Sequence, residues 1–321
     1  MPSPDLFNYP ERTRHPLSEY HLAAERISPY LRRTPLLRAT AAGRPVAFKL
    51  EFLQVTGSFK ARGALNAMLV RAAEQGRPSH VVTASGGNHG LGVAAAARLL
   101  GAGAVVYVPR SVPEVKARRI AAEGAEVVRH GDSYADAETE ARHLASRDGL
   151  FYVHAYDDPA VVAGQSTVGL EILADMPECD VIAVPVGGGG LLAGVAGAVA
   201  AAEGARRAVV GVEPDGCPTL HAAVSAGHPV DVTVDGSSVA ASALGAARAG
   251  RPAYAACEAG TVRLAMVSDQ QIIDARNRLW EEFRLAVEPA AATVFAAWLA
   301  GEVPGDFPCL VLSGANADWT P

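Results

Sequence analysis

Short apolar segments rich in valine alternate with longer segments rich in alanine and leucine along most of the chain. The alternation predicts strands at residues 46–51, 80–84, 104–109, 125–130, 151–155, 180–186, 208–213 and 309–314. It predicts helices near residues 60–75, 89–100, 113–123, 133–147, 159–174, 191–203, 270–283 and 290–300. Because the strand segments are almost continuously apolar, they favour parallel sheet covered by helices on both faces, and hence an α/β fold.

Composition and charge disfavour several classes of protein. The 321 residues are 50% hydrophobic and 19% charged, enough for one large domain or two moderate ones. A net charge of -6 disfavours nucleic acid or an anionic membrane as a partner. Scattered cysteines and a polar N-terminus unlike a signal peptide indicate a cytoplasmic protein. The uncharged run at 181–202 contains Pro185 and a glycine block, which predicts a strand, a loop and a buried helix instead of a membrane span.

Three predicted strands end in unusual loops, at the edge where α/β proteins bind ligands. The loops read SGGNHG (85–90), GGGGLLAG (187–194) and SGAN (313–316), and they carry little charge. Glycine allows close backbone approach, so several N–H groups can converge with a helix N-terminus on a phosphate. The sequence therefore predicts an anion site built largely from backbone amides.

The glycine block also supports a different class of protein. From Gly188 to Ala193 it matches the G-x-G-x-x-A pattern, and Glu213 ends the next predicted strand where a ribose-binding acid would stand. An NAD(P)-dependent oxidoreductase is therefore an alternative. It leaves Lys60 and the other two loops without a role.

Pyridoxal 5′-phosphate accounts for all of these loops together. The cofactor needs a lysine for a Schiff base, donors for its phosphate, and partners for its ring oxygen O3′ and its pyridine nitrogen. Lys60, in VTGSFKARGA (55–64), supplies the amine, and the loop at 187–190 supplies backbone donors. Asn88 and Ser313 have suitable chemistry for O3′ and the ring nitrogen.

The motifs GSFKARGA, SGGNHG, GGGGLLAG, VEPAAA and SGAN, in this order, resemble those of the threonine/serine dehydratases. The resemblance runs from residue 33 to residue 318. It implies the tryptophan-synthase-like fold type II of pyridoxal phosphate enzymes, with two three-layer α/β/α domains and mostly parallel sheets. Residues 1–69 and 150–321 would form a large cofactor-binding domain, and residues 70–149 a small domain that closes on the substrate. Family members are commonly dimers or tetramers, so a homo-oligomer is expected.

The resemblance also implies a role for individual residues. Lys60 would form the Schiff base and act as the base at Cα, and Ser313 would face the pyridine nitrogen. The remaining cofactor contacts would come from Phe59, Asn88, Gly187, Gly188, Gly189, Gly190, Leu191 and Glu288. The substrate carboxylate would be bound by Ser85, Gly86, Gly87, Asn88 and His89.

The implied reaction is α,β-elimination of water from a 3-hydroxy amino acid such as L-threonine or L-serine, giving a 2-oxo acid and ammonia. A serine beside the ring nitrogen suits elimination better than transamination. Gly86 stands where related serine racemases carry a second serine, which disfavours racemisation. The sequence leaves open which hydroxy amino acid is preferred.

Departures from the family pattern keep further alternatives open. In SSVAASALGA (237–246) an acidic residue usual in the family is missing, so a non-catalytic protein that binds pyridoxal phosphate is a third interpretation. Related enzymes bind a divalent cation, for which Glu213 and Cys217 match, but Thr219 replaces an expected aspartate. A metal is therefore possible and unsupported. His154 and Tyr156, at a strand end near the predicted site, are expected to be packing residues, with a substrate contact as the alternative.

Overall fold

The computed structural model describes residues 16–202 and 207–317. The interpretation of the N-terminus and the predicted helix end at residue 203 lie outside these residues. The helices are α1 (Pro16–Ile27), α2 (Lys60–Gln75), α3 (Asn88–Leu100), α4 (Glu114–Ala122), α5 (Tyr134–Asp148), α6 (Pro159–Asp175), α7 (Gly190–Ala201), α8 (Thr219–Ala226), α9 (Ala241–Leu244), α10 (Arg251–Glu258), α11 (Asp269–Phe283) and α12 (Pro289–Leu299). The strands are β1 (Leu36–Ala41), β2 (Arg44–Lys49), β3 (His80–Ala84), β4 (Gly103–Val108), β5 (Glu126–Arg129), β6 (Phe151–Tyr152), β7 (Val181–Pro185), β8 (Ala208–Pro214), β9 (Val262–Val267) and β10 (Cys309–Val311).

The strands form two sheets, each covered by helices. The larger has the order β1-β2-β10-β7-β8-β9 and the smaller the order β5-β4-β3-β6. Only the β1–β2 pair is antiparallel among the pairs of named strands in the described chain. The predicted α/β class with mostly parallel sheets is confirmed, and the domain boundaries at residues 69 and 149 stay a prediction.

Strands β1 and β9 were not predicted from the sequence, and both lie at the edges of the larger sheet. In β9, buried residues alternate with more exposed ones such as Arg263. The prediction relied on continuous apolar segments, which mark strands buried on both faces. Edge strands are half exposed, and their alternating pattern is weaker over six residues.

Local sequence signals begin the helices that border the site. Asp158 caps α6 by accepting hydrogen bonds from the backbone N–H groups of Ala160 and Val161, and Pro159 follows in the first turn. Glu288 stands at the N-cap of α12, again with a proline in the first turn. Both helices therefore start at fixed positions beside the strand ends.

Close packing fixes α2 against α6. A Cβ on Gly164 would lie 2.5 Å from the backbone oxygen of Arg62, so only glycine allows the two backbones to approach this closely. The segment that enters α2 is strained at Thr56, which has a φ of 70°, and the next residue also has a positive φ, 73°, which glycine adopts without strain. This tight turn places Lys60 at the first residue of α2.

Candidate active site

A cavity of about 760 Å³ opens where the carboxyl ends of β3 and β7 meet the start of α2. It is lined by residues from all three predicted loops. The predicted site residues that border it are Phe59, Lys60, Ser85, Gly87, Asn88, His89, Gly187, Gly188, Gly189, Gly190, Leu191, Glu288 and Ser313. Gly86, in the SGGNHG loop, does not border the cavity. A Cβ on this residue would point at Val112 and lie 2.5 Å from its Cγ2. The fold therefore brings together segments far apart in the sequence.

Lys60 presents an amine without a counter-ion. Its Nζ donates a hydrogen bond to the carbonyl oxygen of Ala155 at 2.9 Å and lies 5.1 Å from the centre of the Phe59 ring. No carboxylate of the described residues lies within ion-pair distance of Nζ. Burial of the amine lowers the pKa of Lys60 to about 8. A lysine of this kind is a better nucleophile and base near neutral pH than an exposed one.

Asn88 is held in one orientation by two neighbours. Its Nδ2 donates to Glu288 Oε1 at 2.7 Å, and its Oδ1 accepts from Asn316 Nδ2 at 2.8 Å. An amide NH₂ group has two hydrogens, so one donor of Asn88 is left to face the cavity. That remaining N–H suits an acceptor such as O3′. The hydrogen bond from Asn316 identifies the oxygen end of the Asn88 amide, and so fixes which end carries the N–H groups. Nothing in the sequence pointed to this role for Asn316.

Glu288 is a buried carboxyl group at the N-terminus of α12. Burial raises its pKa to about 7, although the hydrogen bond from Asn88 opposes the shift. A Cβ on Gly314 would lie 2.4 Å from Glu288 Oε1, so the glycine of the SGAN loop makes room for this carboxyl. Near neutral pH, both the charged and the neutral form of the Glu288 carboxyl are therefore populated.

The glycine loop forms a cradle that side chains would fill. Gly189 has a φ of 86°, and a Cβ on Gly188 would lie 2.3 Å from the Tyr156 ring. A Cβ on Gly187 would lie 2.9 Å from the backbone of Leu244. Helix α7 begins at Gly190, and the first N–H groups of a helix have no acceptors within it. These donors and the positive end of the helix dipole suit a phosphate.

The SGGNHG loop leads from β3 into α3, as the glycine loop leads from β7 into α7. The Gly87 N–H donates to Ser85 Oγ at 3.2 Å, and the helix begins at Asn88. His89 is buried, with Nε2 3.0 Å from the carbonyl oxygen of Val153, so that nitrogen carries the proton. Burial, together with the positive charge of Lys60, lowers the pKa of His89 to about 3. The ring is neutral, so the groups of this loop that suit a carboxylate are backbone amides and the Ser85 hydroxyl.

A buried ionic network lies behind Lys60 and was not predicted. Arg62 donates to both oxygens of Glu51 at 2.8 Å and to Glu171 at 2.7 and 3.0 Å. Lys49 donates to the same Glu171 at 2.6 Å. Burial lowers the pKa of Arg62, but the two carboxylates raise it by more. Charged residues inside the apolar run VAFKLE were the sequence signal for this network, because such charges need partners.

A second feature that the sequence did not predict is a polar wall of the cavity. His154 and Tyr156, expected to be packing residues, both line the cavity. Helix α5 contributes Tyr134, Glu138 and Arg142 to the same wall. Arg142 is already engaged, because it donates to Glu138 Oε1 at 2.7 Å and lies 4.3 Å from the centre of the Tyr152 ring.

Glu213 lies outside the cavity and has a structural role. Its buried carboxylate accepts hydrogen bonds from the backbone N–H groups of Leu220 and His221 at 2.6 and 2.9 Å, at the N-terminus of α8. Thr219 donates its hydroxyl to the carbonyl oxygen of Ala246. Within residues 16–202 and 207–317, no group of three or more histidine, cysteine, aspartate or glutamate side chains could hold a metal ion. The possible cation site gains no support, and neither does Glu213 as a ribose-binding acid.

Comparison with known proteins places the chain in a family. Residues 27–314 match the family model described as "Pyridoxal-phosphate dependent enzyme", and the chain belongs to this family. An L-threonine ammonia-lyase of Geobacter sulfurreducens is 37% identical over 92% of this chain and 74% of its own length. A phenylserine dehydratase of Ralstonia pickettii is 36% identical over 91% of this chain and 90% of its own length. The crystal structure of a threonine deaminase from T.th. superposes with a TM-score of 0.87 at 36% identity, covering 95% of this chain and 99% of that one.

The residues of the cavity fit the family's cofactor. A poorly solvated amine, a cradle of glycine amides at a helix N-terminus, and one free N–H of Asn88 match the aldehyde, phosphate and O3′ of pyridoxal phosphate. Ser313 Oγ borders the cavity and is bonded to no other residue in the described part of the chain, so it is available to the ring nitrogen. No helix among the described residues is long and apolar enough to cross a membrane.

Proposed function

We propose that this chain is a pyridoxal-phosphate-dependent dehydratase that converts a 3-hydroxy amino acid, such as L-threonine or L-serine, to a 2-oxo acid and ammonia by α,β-elimination. The observation that carries the proposal is the amine of Lys60, which lies without a counter-ion in a cavity bordered by two amide-rich loops. The names of the similar threonine ammonia-lyase and threonine deaminase support this reaction.

When bound, the cofactor supplies an electron sink for the pair released from Cα. Lys60 removes the proton from Cα, for which the amine must be neutral. A pKa of about 8 leaves roughly a tenth of the amine neutral at pH 7, against less than a thousandth for an ordinary lysine. The low pKa therefore provides the base at physiological pH.

The other residues bind and orient. The amides of residues 187–191 hold the phosphate, and the amides of residues 86–89 with Ser85 hold the substrate carboxylate. Asn88 donates to O3′, with its amide fixed by Glu288 and Asn316. Ser313 stands at the ring nitrogen as a hydroxyl, which does not keep that nitrogen protonated as a carboxylate would. This choice favours loss of a β-substituent over transamination.

The alternative functions have less support. A nicotinamide-dependent oxidoreductase would need Glu213 for a ribose, and that carboxylate is taken by the start of α8. A non-catalytic binding protein would hold the cofactor without turnover. We also propose a homo-oligomer in the cytoplasm, in which residues 70–149 close on the substrate. Light scattering of the purified protein tests the assembly.

The function is tested by the visible spectrum of the purified protein before and after borohydride, with 2-oxo acid release followed on addition of substrate. The substrates are L-threonine, L-serine and L-phenylserine, the last because of the similar phenylserine dehydratase. We expect a yellow protein that bleaches on reduction and releases a 2-oxo acid. Lys60→Ala is expected to abolish both the colour and the turnover, whereas Lys116→Ala is the matched control. Colour without turnover of any of the three would support the binding protein instead.

A further inference from the structure

Residues 154–156 form a segment that contacts both Lys60 and the glycine loop. The next residue, Ala155, accepts the hydrogen bond from Lys60 Nζ. The residue after that, Tyr156, packs directly on the glycine loop, because a Cβ added at Gly188 would clash with the Tyr156 ring. His154 itself borders the cavity. His154 therefore borders the same cavity as the base that acts at Cα and the loop that suits the phosphate.

The hydrogen bonds of His154 fix its tautomer. Its Nδ1 accepts from the backbone N–H groups of Tyr156 and Asp157, at 3.2 and 2.9 Å. A nitrogen that accepts hydrogen bonds carries no proton, so the neutral ring has its proton on Nε2. Burial lowers the pKa of His154, which also favours the neutral ring. In the described parts of the chain no group accepts a hydrogen bond from Nε2, so the cavity wall carries a neutral donor.

We propose that Nε2–H of His154 donates a hydrogen bond to the β-oxygen of the 3-hydroxy amino acid and stabilises this oxygen as the Cβ–O bond breaks. The proposal rests on the proposed function. Lys60 takes the proton from Cα, and the Cβ–O electron pair leaves with the oxygen. The removed proton and the departing hydroxide together make one water, so the atoms balance. His154 keeps its own proton and acts as a preorganised donor at developing negative charge.

Two other side chains of the wall, Arg142 and Tyr156, also carry hydrogen-bond donors. Arg142 is bonded to Glu138 and stacked on Tyr152, so its charge is already neutralised. The phenol of Tyr156 is the competing donor, and burial raises its pKa to about 12. The experiment therefore includes Tyr156→Phe.

Two variants test the roles of the two ring nitrogens of His154 separately. In His154→Asn the side-chain oxygen reaches about as far as Nδ1, so it can still accept from the loop amides, but the donor into the cavity is lost. In His154→Gln the longer side chain carries an N–H to about the position of Nε2, so the donor is kept. His143→Gln, on the exposed side of α5, is the control for loss of a histidine.

The measurement compares leaving groups that differ in their need for a donor. L-Serine loses hydroxide, whereas β-chloro-L-alanine loses chloride, which needs no hydrogen-bond donor. We expect His154→Asn to lower kcat/KM for L-serine by about 10- to 100-fold and that for β-chloro-L-alanine by less than about 3-fold. His154→Gln should restore part of the activity on L-serine. In D₂O, recovered L-serine should carry deuterium at Cα with His154→Asn, because proton removal continues while Cβ–O cleavage is slow.

Other outcomes overturn the proposal. Equal losses on both substrates would make His154 a structural residue, and a selective loss with Tyr156→Phe alone would assign the donor to that phenol. A fall in the affinity of the apoprotein for pyridoxal phosphate, measured by absorbance titration of His154→Asn, would place Nε2–H on the phosphate. If the unmodified protein turns over neither substrate, the proposed function fails, and this result is distinct from all the others.

Discussion

Two clusters of buried ionisable groups lie on either side of the first turn of α2, and they are built in opposite ways. Behind the helix, Arg62 and Lys49 face the carboxylates of Glu51 and Glu171 at hydrogen-bond distance. In the cavity in front of it, Lys60 has a backbone carbonyl and a phenylalanine ring as neighbours.

The difference separates structure from reactivity. Where opposite charges meet, their attraction compensates the cost of burying them, and the ion pairs hold β2, α2 and α6 together. Where they do not meet, burial moves the pKa toward neutrality, to about 8 for Lys60 and about 7 for Glu288. Groups with such values are the ones that exchange protons at physiological pH. The fold thus pairs the charges behind Lys60 and leaves the Lys60 amine itself without a counter-ion.

The largest effect on stability is expected from breaking the compensated cluster. Arg62→Ala leaves the buried Glu51 carboxylate without a counter-charge, with only the Thr34 hydroxyl still donating to it, which should lower the free energy of unfolding by about 3–5 kcal/mol. Urea unfolding of the apoprotein measures this. Arg118→Ala, which removes an exposed ion pair with Glu114, is the control and should unfold at nearly the same urea concentration as the unmodified protein. A change as small as that of the control would mean that the cluster is not a structural lock.

The next largest effect concerns the cradle. Gly188→Ala brings a methyl group onto the Tyr156 ring, so the loop or the tyrosine must shift. We expect the affinity for pyridoxal phosphate to fall about 100-fold, or about 2.7 kcal/mol. Gly236→Ala, where a Cβ meets no atom within 4 Å, is the matched control. Fluorescence titration of both apoproteins provides the comparison. Equal affinities of the two variants for pyridoxal phosphate would show that the glycine loop does not hold the phosphate.

An effect of similar size, which is present only above pH 4.5, is expected from Glu288. Its pKa is raised from 4.5 to about 7, so between these values the folded state binds more protons than the unfolded state and stability falls as pH rises. Glu288→Gln keeps an acceptor for Asn88 and removes the charge. The variant apoprotein should therefore be more stable than the unmodified one at pH 8, by at most about 3 kcal/mol. The gain should disappear near pH 4.5, and a gain that is independent of pH would contradict the raised pKa.

The smallest effect is a shift in the pH dependence of the Lys60 amine. Below its pKa of about 8 the neutral fraction rises tenfold per pH unit, and above it the fraction levels off. Acetylation of Lys60 in the apoprotein by trace acetic anhydride, followed by mass spectrometry, should level off near pH 8. A single-lysine peptide, measured in the same tube, should keep rising toward pH 10. Identical profiles for the two would show that burial leaves this amine unperturbed.

Local signals made much of the site predictable. Three glycine-rich loops at strand ends and a lysine at a helix start can each be read within about ten residues. Arg62, Asn316 and His154 could not be interpreted in this way. Arg62 meets Glu171 across 109 positions, and Asn316 meets Asn88 across 228, so their roles depend on the completed fold. The role of His154 depends on its tautomer, which the backbone of the following loop decides.

The central claim is that the uncompensated lysine is the one that binds the cofactor, and the chain offers a direct test because it contains only Lys49, Lys60 and Lys116. The protein is loaded with pyridoxal phosphate, reduced with borohydride and digested, and the modified peptide is identified by mass spectrometry. The account predicts the added phosphopyridoxyl mass on Lys60 alone among the three. The same mass on the paired Lys49 or on Lys116, with Lys60 unmodified, would contradict it.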